Sequence, residues 1–266
     1  IDYRFMDLNL SVKRALVCGS TQGIGKAIAI ELAALGANVT LIARSRESLL
    51  KVLNELPNHD QDHHFICADF DKPKELEEQI MQYLAPEITG HILINNTGGP
   101  PGGQAIEANL EEYRIAFNRH LICNQILTQA VAPQMKKAGY GRIINIISTS
   151  VKAPLDGLGV SNTIRGSVAS WAKTLANELG GYGITVNNVL PGATATSRLE
   201  SIIINKAKKL DQTQAEVSNA MKSEIPAQRF ADASEIAHAV AFLASPSAGY
   251  INGINLPVDG GRLSCL

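Results

Sequence analysis

Short apolar segments alternate along the chain with longer segments that mix apolar and charged residues. The short segments show no alternation of apolar and polar positions, which is typical of strands in a parallel sheet covered by helices on both faces. They predict seven strands, at residues 15–18, 38–43, 64–68, 91–95, 142–147, 184–190 and 254–258.

The mixed segments predict helices, so that strand and helix alternate throughout. Two of them follow residues suited to cap a helix, Ser45 and Asp232, the latter with Glu235 three positions later. The predicted helices span residues 26–36, 46–56, 74–84, 110–137, 162–179, 198–222 and 233–243. This order predicts an α/β protein with a doubly wound parallel sheet, Rossmann-like and in three layers. A (β/α)₈ barrel is the alternative, but the sequence lacks an eighth strand–helix unit.

No segment of the 266 residues has the composition of a linker, so we expect a single domain. We place it at residues 9–266, after an N-terminal extension of residues 1–8, and expect a helical lid at about residues 197–223. Apolar residues make up 45% of the chain, which is enough to build a full core.

Charge and cysteine content exclude several classes of partner. The net charge of −1 gives no basic face for nucleic acid and no polybasic patch for a membrane. No apolar run approaches the roughly 20 residues that span a bilayer. Without a signal-peptide pattern, we expect a cytoplasmic protein. The four cysteines lack paired spacing, which predicts free thiols and no metal site.

A glycine-rich turn, Gly19-Ser20-Thr21-Gln22-Gly23-Ile24-Gly25, connects the first predicted strand to the first predicted helix. This arrangement brings backbone N–H groups and the positive end of a helix dipole to one point, which favours phosphate binding. A glycine turn without a ligand is the alternative, and the flanking strand and helix make it the weaker one.

The end of the second predicted strand indicates which dinucleotide would bind. An acidic residue there would bind a ribose 2′-hydroxyl and repel a 2′-phosphate, whereas an arginine accommodates the phosphate. The sequence has Ala43-Arg44-Ser45 and no acid. Arg44 can donate charge-assisted hydrogen bonds, and the hydroxyls of Ser45 and Thr21 can add to them. We therefore predict NADP(H) rather than NAD(H), unless Arg44 is only a solvated surface charge.

Several motifs together resemble those of the short-chain dehydrogenase/reductases, over residues 9–262. The resemblance is strongest to β-ketoacyl-(acyl carrier protein) reductases. The motifs are Gly19-x-x-x-Gly23-x-Gly25, Asp69 after the third strand, Asn95-Asn96-Thr97-Gly98 after the fourth, Pro191-Gly192-Ala193-Thr194-Ala195-Thr196 after the sixth, and Val258-Asp259-Gly260-Gly261 near the end.

The resemblance implies a cofactor site. Asp69 would accept a hydrogen bond from the adenine amino group, Asn96 and Gly98 would line the adenosine ribose, and residues 191–196 would hold the nicotinamide amide and a phosphate. It also implies a homo-oligomer, a tetramer or a dimer, formed through the helices at 110–137 and 162–179. The expected cofactor-binding residues are Gly19, Ser20, Thr21, Gln22, Gly23, Ile24, Gly25, Arg44, Ser45, Asp69, Phe70, Asn96, Thr97, Gly98, Arg165, Pro191, Gly192, Thr194 and Thr196.

The expected catalytic positions depart from the family pattern, which uses Asn, Ser, Tyr and, four residues after the Tyr, Lys. By spacing, these positions hold His120, Ser148, Ser161 and Arg165, so only the serine matches. A phenol of pKa about 10 is a suitable acid for a developing alkoxide, whereas a serine hydroxyl is much weaker. Arginine keeps the positive charge but cannot relay a proton. Loss of a general acid typically costs about 10²–10⁴ in rate.

The replacements nevertheless form a coherent set. Ser161 and Arg165 lie one helical turn apart on one face, which favours an altered site over a decayed one. Arg165 can hold the nicotinamide ribose hydroxyls with its planar guanidinium. His120 can act as the acid, directly or through water with Ser148 and Ser161, or it merely fills the asparagine position and hydrogen-bonds the backbone.

Two functions therefore remain open at this stage. The first is an NADP(H)-dependent oxidoreductase that acts on a small-molecule carbonyl or alcohol, resembling 3-oxoacyl-(acyl carrier protein) reductases. The second is a non-catalytic NADPH-binding protein, a sensor or a partner subunit. A scaffold that binds no nucleotide is a third, weaker alternative. The sequence does not identify the substrate.

Overall fold

A seven-stranded parallel sheet forms the centre of the protein in the computed structural model, which describes residues 5–84 and 88–265. The strand order is β3-β2-β1-β4-β5-β6-β7, so the direction of winding reverses between β1 and β4. In such sheets, ligands bind beyond the carboxyl ends of the strands at this reversal. The strands are β1 Arg14–Cys18, β2 Asn38–Ala43, β3 His64–Cys67, β4 Ile92–Asn95, β5 Gly141–Ile146, β6 Ile184–Pro191 and β7 Asn255–Val258.

Helices pack on both faces of the sheet, which confirms the predicted three-layer Rossmann-like fold. Successive side chains of a strand point to opposite faces, so that Leu93 and Ile94 of β4 belong to two different core clusters. Both are fully buried. The helices are α1 Gly23–Ala34, α2 Arg46–Glu55, α3 Pro73–Tyr83, α4 Leu110–Phe117, α5 Cys123–Ala138, α6 Gly159–Leu179, α7 Ser197–Leu210, α8 Gln214–Ser223 and α9 Ala233–Ala244.

Two helices begin earlier than the sequence pattern predicts. Helix α1 begins at Gly23, so the last part of the glycine turn already forms its first turn. Helix α6 begins at Gly159 and includes Ser161 in its first turn. Glycine lowers helix propensity, which explains why the pattern places both starts too late.

Two predicted helices are interrupted. The helix predicted at residues 110–137 consists of α4, a π-helical turn at Asn118–Ile122, and α5. The predicted insertion at 198–222 consists of α7 and α8, which Asp211 separates with a left-handed φ of 52°. Thr213 and Glu216 then form a capping box at the start of α8.

Four asparagines form a hydrogen-bonded ladder across β4 to β7. They occupy facing positions in adjacent strands. Asn95 donates to Asn145, Asn145 to Asn188, and Asn188 to Asn255, each bond being 2.8 Å long. No motif in the sequence predicts this ladder. It gives partners to most of these buried amide groups, although Oδ1 of Asn95 has none among the described residues.

The chain before β1 is attached to the domain. The N–H group of Asp7 donates to Oγ of Ser247 at 2.7 Å, and Leu10 is fully buried. The first four residues of the predicted extension 1–8 lie outside the described residues, as does Leu266. Within the described ranges, no helix is both long and apolar enough to cross a membrane.

Candidate active site

The glycine turn is too tightly packed for any side chain at two of its positions. A Cβ atom on Gly25 would lie 2.1 Å from the carbonyl oxygen of Gly19, and Gly19 itself has a φ of +59°. Asn96, at the end of β4, holds the turn because its Nδ2 donates to the carbonyl oxygens of Cys18 at 3.2 Å and Gly19 at 3.3 Å. The turn is therefore fixed at the reversal of the sheet, where the sequence predicts a phosphate.

The start of α1 is free to bind an anion. Gln22 caps the helix without a side-chain hydrogen bond, and its first turn holds no acidic residue. The first N–H groups of the helix, at the positive end of its dipole, therefore have no side-chain acceptor among the described residues. This is the geometry in which helix N-termini bind phosphate.

The segment after β6 lies against the glycine turn. A Cβ atom on Gly23, whose φ is +53°, would lie 3.2 Å from Cγ2 of Thr196. The hydroxyl of Thr196 donates to the carbonyl oxygen of Thr194 at 3.2 Å and caps α7. A Cβ on Gly192 would lie 2.7 Å from Cα of Asp259, so this end of the segment is also tightly packed. The structure thus brings together the two motifs that the sequence assigns to one cofactor.

Hydroxyl groups near the end of β2 already have partners within the protein. Oγ of Ser20 is fully buried and accepts from the N–H of Ile42 at 3.1 Å. Oγ of Ser45 caps α2 by accepting from the N–H of Ser48 at 3.2 Å. Arg44, which precedes Ser45 in the chain, is exposed, and none of the described residues forms an ion pair with it. Ser20, predicted to bind the cofactor, is therefore fully buried and its hydroxyl is already paired, whereas the Arg44 guanidinium is available.

The predicted adenine site at the end of β3 holds one available and one unavailable side chain. The carboxylate of Asp69 is half-buried and accepts from the N–H of Asp71 at 3.0 Å. Phe70 is buried in the core, and its carbonyl oxygen accepts from Sγ of Cys123. The Phe70 ring is thus part of the core and does not line the predicted adenine site. Asp71 forms an ion pair with Arg119, which the sequence analysis missed and which lowers the pKa of Asp71.

Helix α6 brings the four expected catalytic positions to one region. It packs against the π-helical turn that holds His120 and against the 3₁₀ turn Thr149–Val151 that follows Ser148. Oγ of Ser148 accepts from the N–H of Ser150 at 3.1 Å. Ser161 is half-buried in the first turn of α6, and no hydrogen bond to its hydroxyl occurs within the described ranges.

Arg165 lies one turn after Ser161 and is only 8% exposed. Its Nη1 donates to the carbonyl oxygen of Ile146 at 2.9 Å, which places the guanidinium at the carboxyl end of β5. Burial lowers its pKa to about 10, and the nearby charge of Arg198 adds to this effect. Arg165 therefore stays protonated at neutral pH, as the sequence analysis expects.

His120 is 2% exposed, and its Nε2 has no hydrogen-bond partner among the residues that the structure describes. Burial lowers its pKa to about 2, and the charges of Arg165 and Arg119 contribute, against a hydrogen bond with the backbone of Gly98. The imidazole is therefore neutral at physiological pH. Its only proton is that of the neutral ring, which suits it to donate a hydrogen bond. A π-helical turn within a helix often marks a functional position.

A second arginine, which sequence reasoning missed, lies beside Arg165. A Cβ atom on Gly99 would lie 3.8 Å from Nη2 of Arg198 and 3.9 Å from Nη2 of Arg165. Nη2 of Arg198 also donates to the carbonyl oxygen of Pro100 at 3.0 Å. In the sequence, the only sign of its role was its position two residues after Thr196. The sequence does not show in which direction the side chains in the first turn of α7 point.

The glycine- and proline-rich loop at residues 98–103 forms one wall of this region. Gly103 donates to the carbonyl oxygen of Gly157 at 2.7 Å, and Gly159 donates to that of Gly103 at 3.0 Å. These bonds attach the loop to the start of α6. With the Arg198–Pro100 bond, the loop connects α6 to α7 across the carboxyl end of the sheet.

Comparison with known proteins finds relatives over nearly the whole chain. Residues 19–262 match the family model described as enoyl-(acyl carrier protein) reductase. The 3-oxoacyl-(acyl-carrier-protein) reductase FabG of Pseudomonas aeruginosa is 33% identical over 259 residues, which are 96% of this chain and 98% of that protein. The NADPH-dependent reductase BacG of Bacillus subtilis is 28% identical over 259 residues, which are 97% of this chain and 100% of that protein.

The fold is shared with solved structures over nearly the whole chain. The crystal structure of L-sorbose reductase from Gluconobacter frateurii, complexed with NADPH and L-sorbose, superposes with a TM-score of 0.91 at 28% identity. The match covers 98% of this chain and 100% of that one. A blue fluorescent protein from a metagenomic library, in complex with NADPH, superposes with a TM-score of 0.84 at 29% identity.

Proposed function

The chain belongs to the short-chain dehydrogenase/reductase family, and on this basis we propose that it is an NADP(H)-dependent oxidoreductase that interconverts a carbonyl group and an alcohol. The observation that carries the proposal is the tightly packed glycine turn at the start of α1. It leaves the N-terminal N–H groups of the helix without a side-chain acceptor in the described part of the chain and permits no side chain at Gly25. Such a turn fits a pyrophosphate group.

Arg44 supports NADP(H) as the cofactor rather than NAD(H). It follows β2 directly, is exposed, and has no acidic neighbour in the sequence that could bind a ribose 2′-hydroxyl. A guanidinium there offers charge-assisted hydrogen bonds to a 2′-phosphate. Asp69 and Asn96 would contact the adenosine part, while Thr194 and Thr196 would contact the nicotinamide end.

The residues around Arg165 would position the substrate and supply the proton. When bound, NADPH supplies the hydride. Ser148 would donate its hydroxyl proton in a hydrogen bond to the substrate oxygen, and Arg165 would hold the ribose of the cofactor. The hydroxyl of Ser161 would give its proton to the substrate oxygen and take one from solvent, while the neutral imidazole of His120 would donate only a hydrogen bond.

The altered catalytic positions favour a second candidate, a non-catalytic NADPH-binding protein. The neutral imidazole of His120 and the hydroxyl of Ser161 are weak proton sources compared with a phenol. The two candidates share the cofactor site and differ only in proton delivery. Measured turnover of NADPH distinguishes them.

Cofactor binding can be tested without knowledge of the substrate. We expect NADPH at a hundred times its dissociation constant to stabilise the protein by about 2.7 kcal/mol, and NADH at the same concentration to stabilise it less. Thermal unfolding with each dinucleotide measures both effects. Equal stabilisation would contradict the NADP(H) preference, and no stabilisation would contradict the proposed function.

Homo-oligomerisation through α4–α5 and α6 is also proposed. On α4, Ile115 and Phe117 are 39% and 40% exposed. Trp171 of α6 is half-buried, contacts two core clusters and donates to Gln125 at 2.8 Å, so it serves the core at least in part. The cytoplasmic location expected from the sequence stays a prediction.

A further inference from the structure

Arg165 and Arg198 place two positive charges beside the same residue, Gly99. Because Gly99 has no side chain, no Cβ atom fills the space that both guanidinium groups border. The two groups come from different helices, α6 and α7, and both are directed to the carboxyl end of the sheet.

No acidic side chain balances these charges in the described part of the chain. Arg165 forms one hydrogen bond there, to the carbonyl oxygen of Ile146, and Arg198 forms one, to that of Pro100. Neither takes part in an ion pair with a described residue, unlike Arg114, which pairs with Glu111. Arg198 is exposed, whereas Arg165 is only 8% exposed. Buried arginines are normally paired, because the transfer of an unpaired charge from water is costly. The remaining N–H groups of Arg165, which is 8% exposed, are therefore available to a ligand.

His120 lies close to the same charges. Burial is the main reason that its pKa is low, and the nearby charges of Arg165 and Arg119 lower it further. Its buried Nε2 lacks a partner within the described ranges. The negative charge of an anion between the two guanidinium groups would offset their positive charges.

The phosphate groups of the cofactor have other expected binding sites. The pyrophosphate fits the start of α1, and a 2′-phosphate fits Arg44. Arg165 lies instead at the catalytic end, one turn from Ser161 and bonded to the carbonyl of Ile146, two residues before Ser148. An anion at the arginine pair would therefore belong to the molecule that reacts there.

We propose that Arg198, together with the N–H groups of Arg165 that the ribose of the cofactor leaves free, binds a carboxylate group of the substrate, so that the protein acts on oxo acids and the corresponding hydroxy acids. This inference rests on the proposed function, which it makes more specific. Planar guanidinium groups bind carboxylates with two parallel hydrogen bonds. These bonds would increase the affinity for the substrate and fix the orientation of its carbonyl group. A neutral carbonyl compound would lack this contact.

Calorimetry with matched acids and esters tests the proposal. The probes are 2-oxobutanoate, 3-oxobutanoate and 4-oxopentanoate, each with its methyl ester, added to the protein with and without NADP⁺. We expect at least one acid to bind at least about tenfold more tightly than its ester. Arg198→Gln should remove this difference, whereas the control Arg114→Gln, on an exposed arginine, should preserve it.

Three results would overturn the proposal or redirect it. Equal affinity for every acid and its ester, with or without NADP⁺, would overturn it. A similar loss of NADP⁺ affinity in Arg198→Gln would also overturn it, because the arginine would then bind the cofactor. If NADP⁺ itself fails to bind to the unaltered protein, the proposed function fails, while the acid–ester comparison on the free protein still decides whether the arginine pair binds carboxylates.

Discussion

Gly25 lies directly against the carbonyl oxygen of Gly19, so that the helix N-terminus and the turn before it form one rigid unit. The side chain of Asn96 fixes this unit from the neighbouring strand by hydrogen bonds to Cys18 and Gly19. The phosphate-binding geometry thus depends on the absence of side chains at two positions and on one amide from a strand distant in sequence.

Gly25→Ala tests this dependence. The added Cβ would have to displace the backbone of Gly19, so we expect destabilisation by at least about 3 kcal/mol or, if the chain still folds, NADPH binding weakened at least about 100-fold. Urea unfolding and NADPH titration measure the two effects. The control is Gly181→Ala, where an added Cβ meets no atom within 4 Å. If Gly25→Ala, like Gly181→Ala, unfolds and binds NADPH in the same way as the unaltered protein, the turn does not have the proposed role.

Arg44→Ala tests the choice of dinucleotide. Removal of a charge-assisted hydrogen bond to the 2′-phosphate should weaken NADPH binding by about 10- to 100-fold and leave NADH binding nearly unchanged. Arg46→Ala, at a neighbouring exposed arginine in the first turn of α2, is the control and should change neither affinity. Equal losses of NADPH and NADH affinity in Arg44→Ala would show that this residue does not select the cofactor.

The asparagine ladder makes a prediction about stability. Asn145→Ala would leave Nδ2 of Asn95 and Oδ1 of Asn188 without partners inside the sheet, at about 1–3 kcal/mol each. Asn255→Ala would remove only the last partner, at a half-buried end of the ladder, and should cost clearly less. Urea unfolding of both variants measures the difference, and equal costs would contradict the assigned role of the ladder.

The burial of His120 as a neutral imidazole should make the stability of the protein depend on pH. Its folded-state pKa of about 2 lies below the value of about 6.5 in the unfolded chain, so below pH 6.5 the unfolded state binds the extra proton. The contribution of His120 to the free energy of unfolding is therefore fully present above pH 6.5 and is lost as the pH falls. Between pH 7.5 and 5.5 this group should account for a loss of about 1.4 kcal/mol.

His120→Asn should remove that part of the loss, as measured by urea unfolding at the two pH values. His238→Asn, at a histidine whose side chain is 62% exposed, is the control and should retain the full loss. The same acid-induced loss in His120→Asn and in the unaltered protein would contradict the burial of a neutral imidazole.

Much of the fold was predictable because strand and helix patterns depend on local sequence. The apolar strands and the glycine turn lie close to their predicted positions, and the sheet they imply is present. The helix starts at Gly23 and Gly159 were missed because glycine disfavours helix by its local propensity, which tertiary packing overrides. The π-helical turn around His120 leaves no trace in hydrophobic spacing.

The site was predictable only in part, because spacing identifies positions but not their surroundings. The turn and the Thr196 segment could be assigned to one ligand from their motifs, and the structure brings them together. The burial of Ser20 and Phe70, the low pKa of His120 and the approach of Arg198 to Arg165 depend on contacts between distant segments. Such contacts are properties of the folded chain rather than of any motif.

Transfer of deuterium from NADPH labelled at both C4 positions tests the central claim most directly. The protein is incubated for hours with labelled NADPH and a panel of oxo acids, their esters and 3-oxoacyl thioesters, and the products are examined by NMR. Typical turnover of about 10 s⁻¹, reduced by about 10²–10⁴ for the missing phenol, predicts rates of about 10⁻³ to 10⁻¹ s⁻¹. The account predicts deuterium on the carbinol carbon of at least one product. Tight NADPH binding without transfer to any member of the panel would contradict it and favour the non-catalytic alternative.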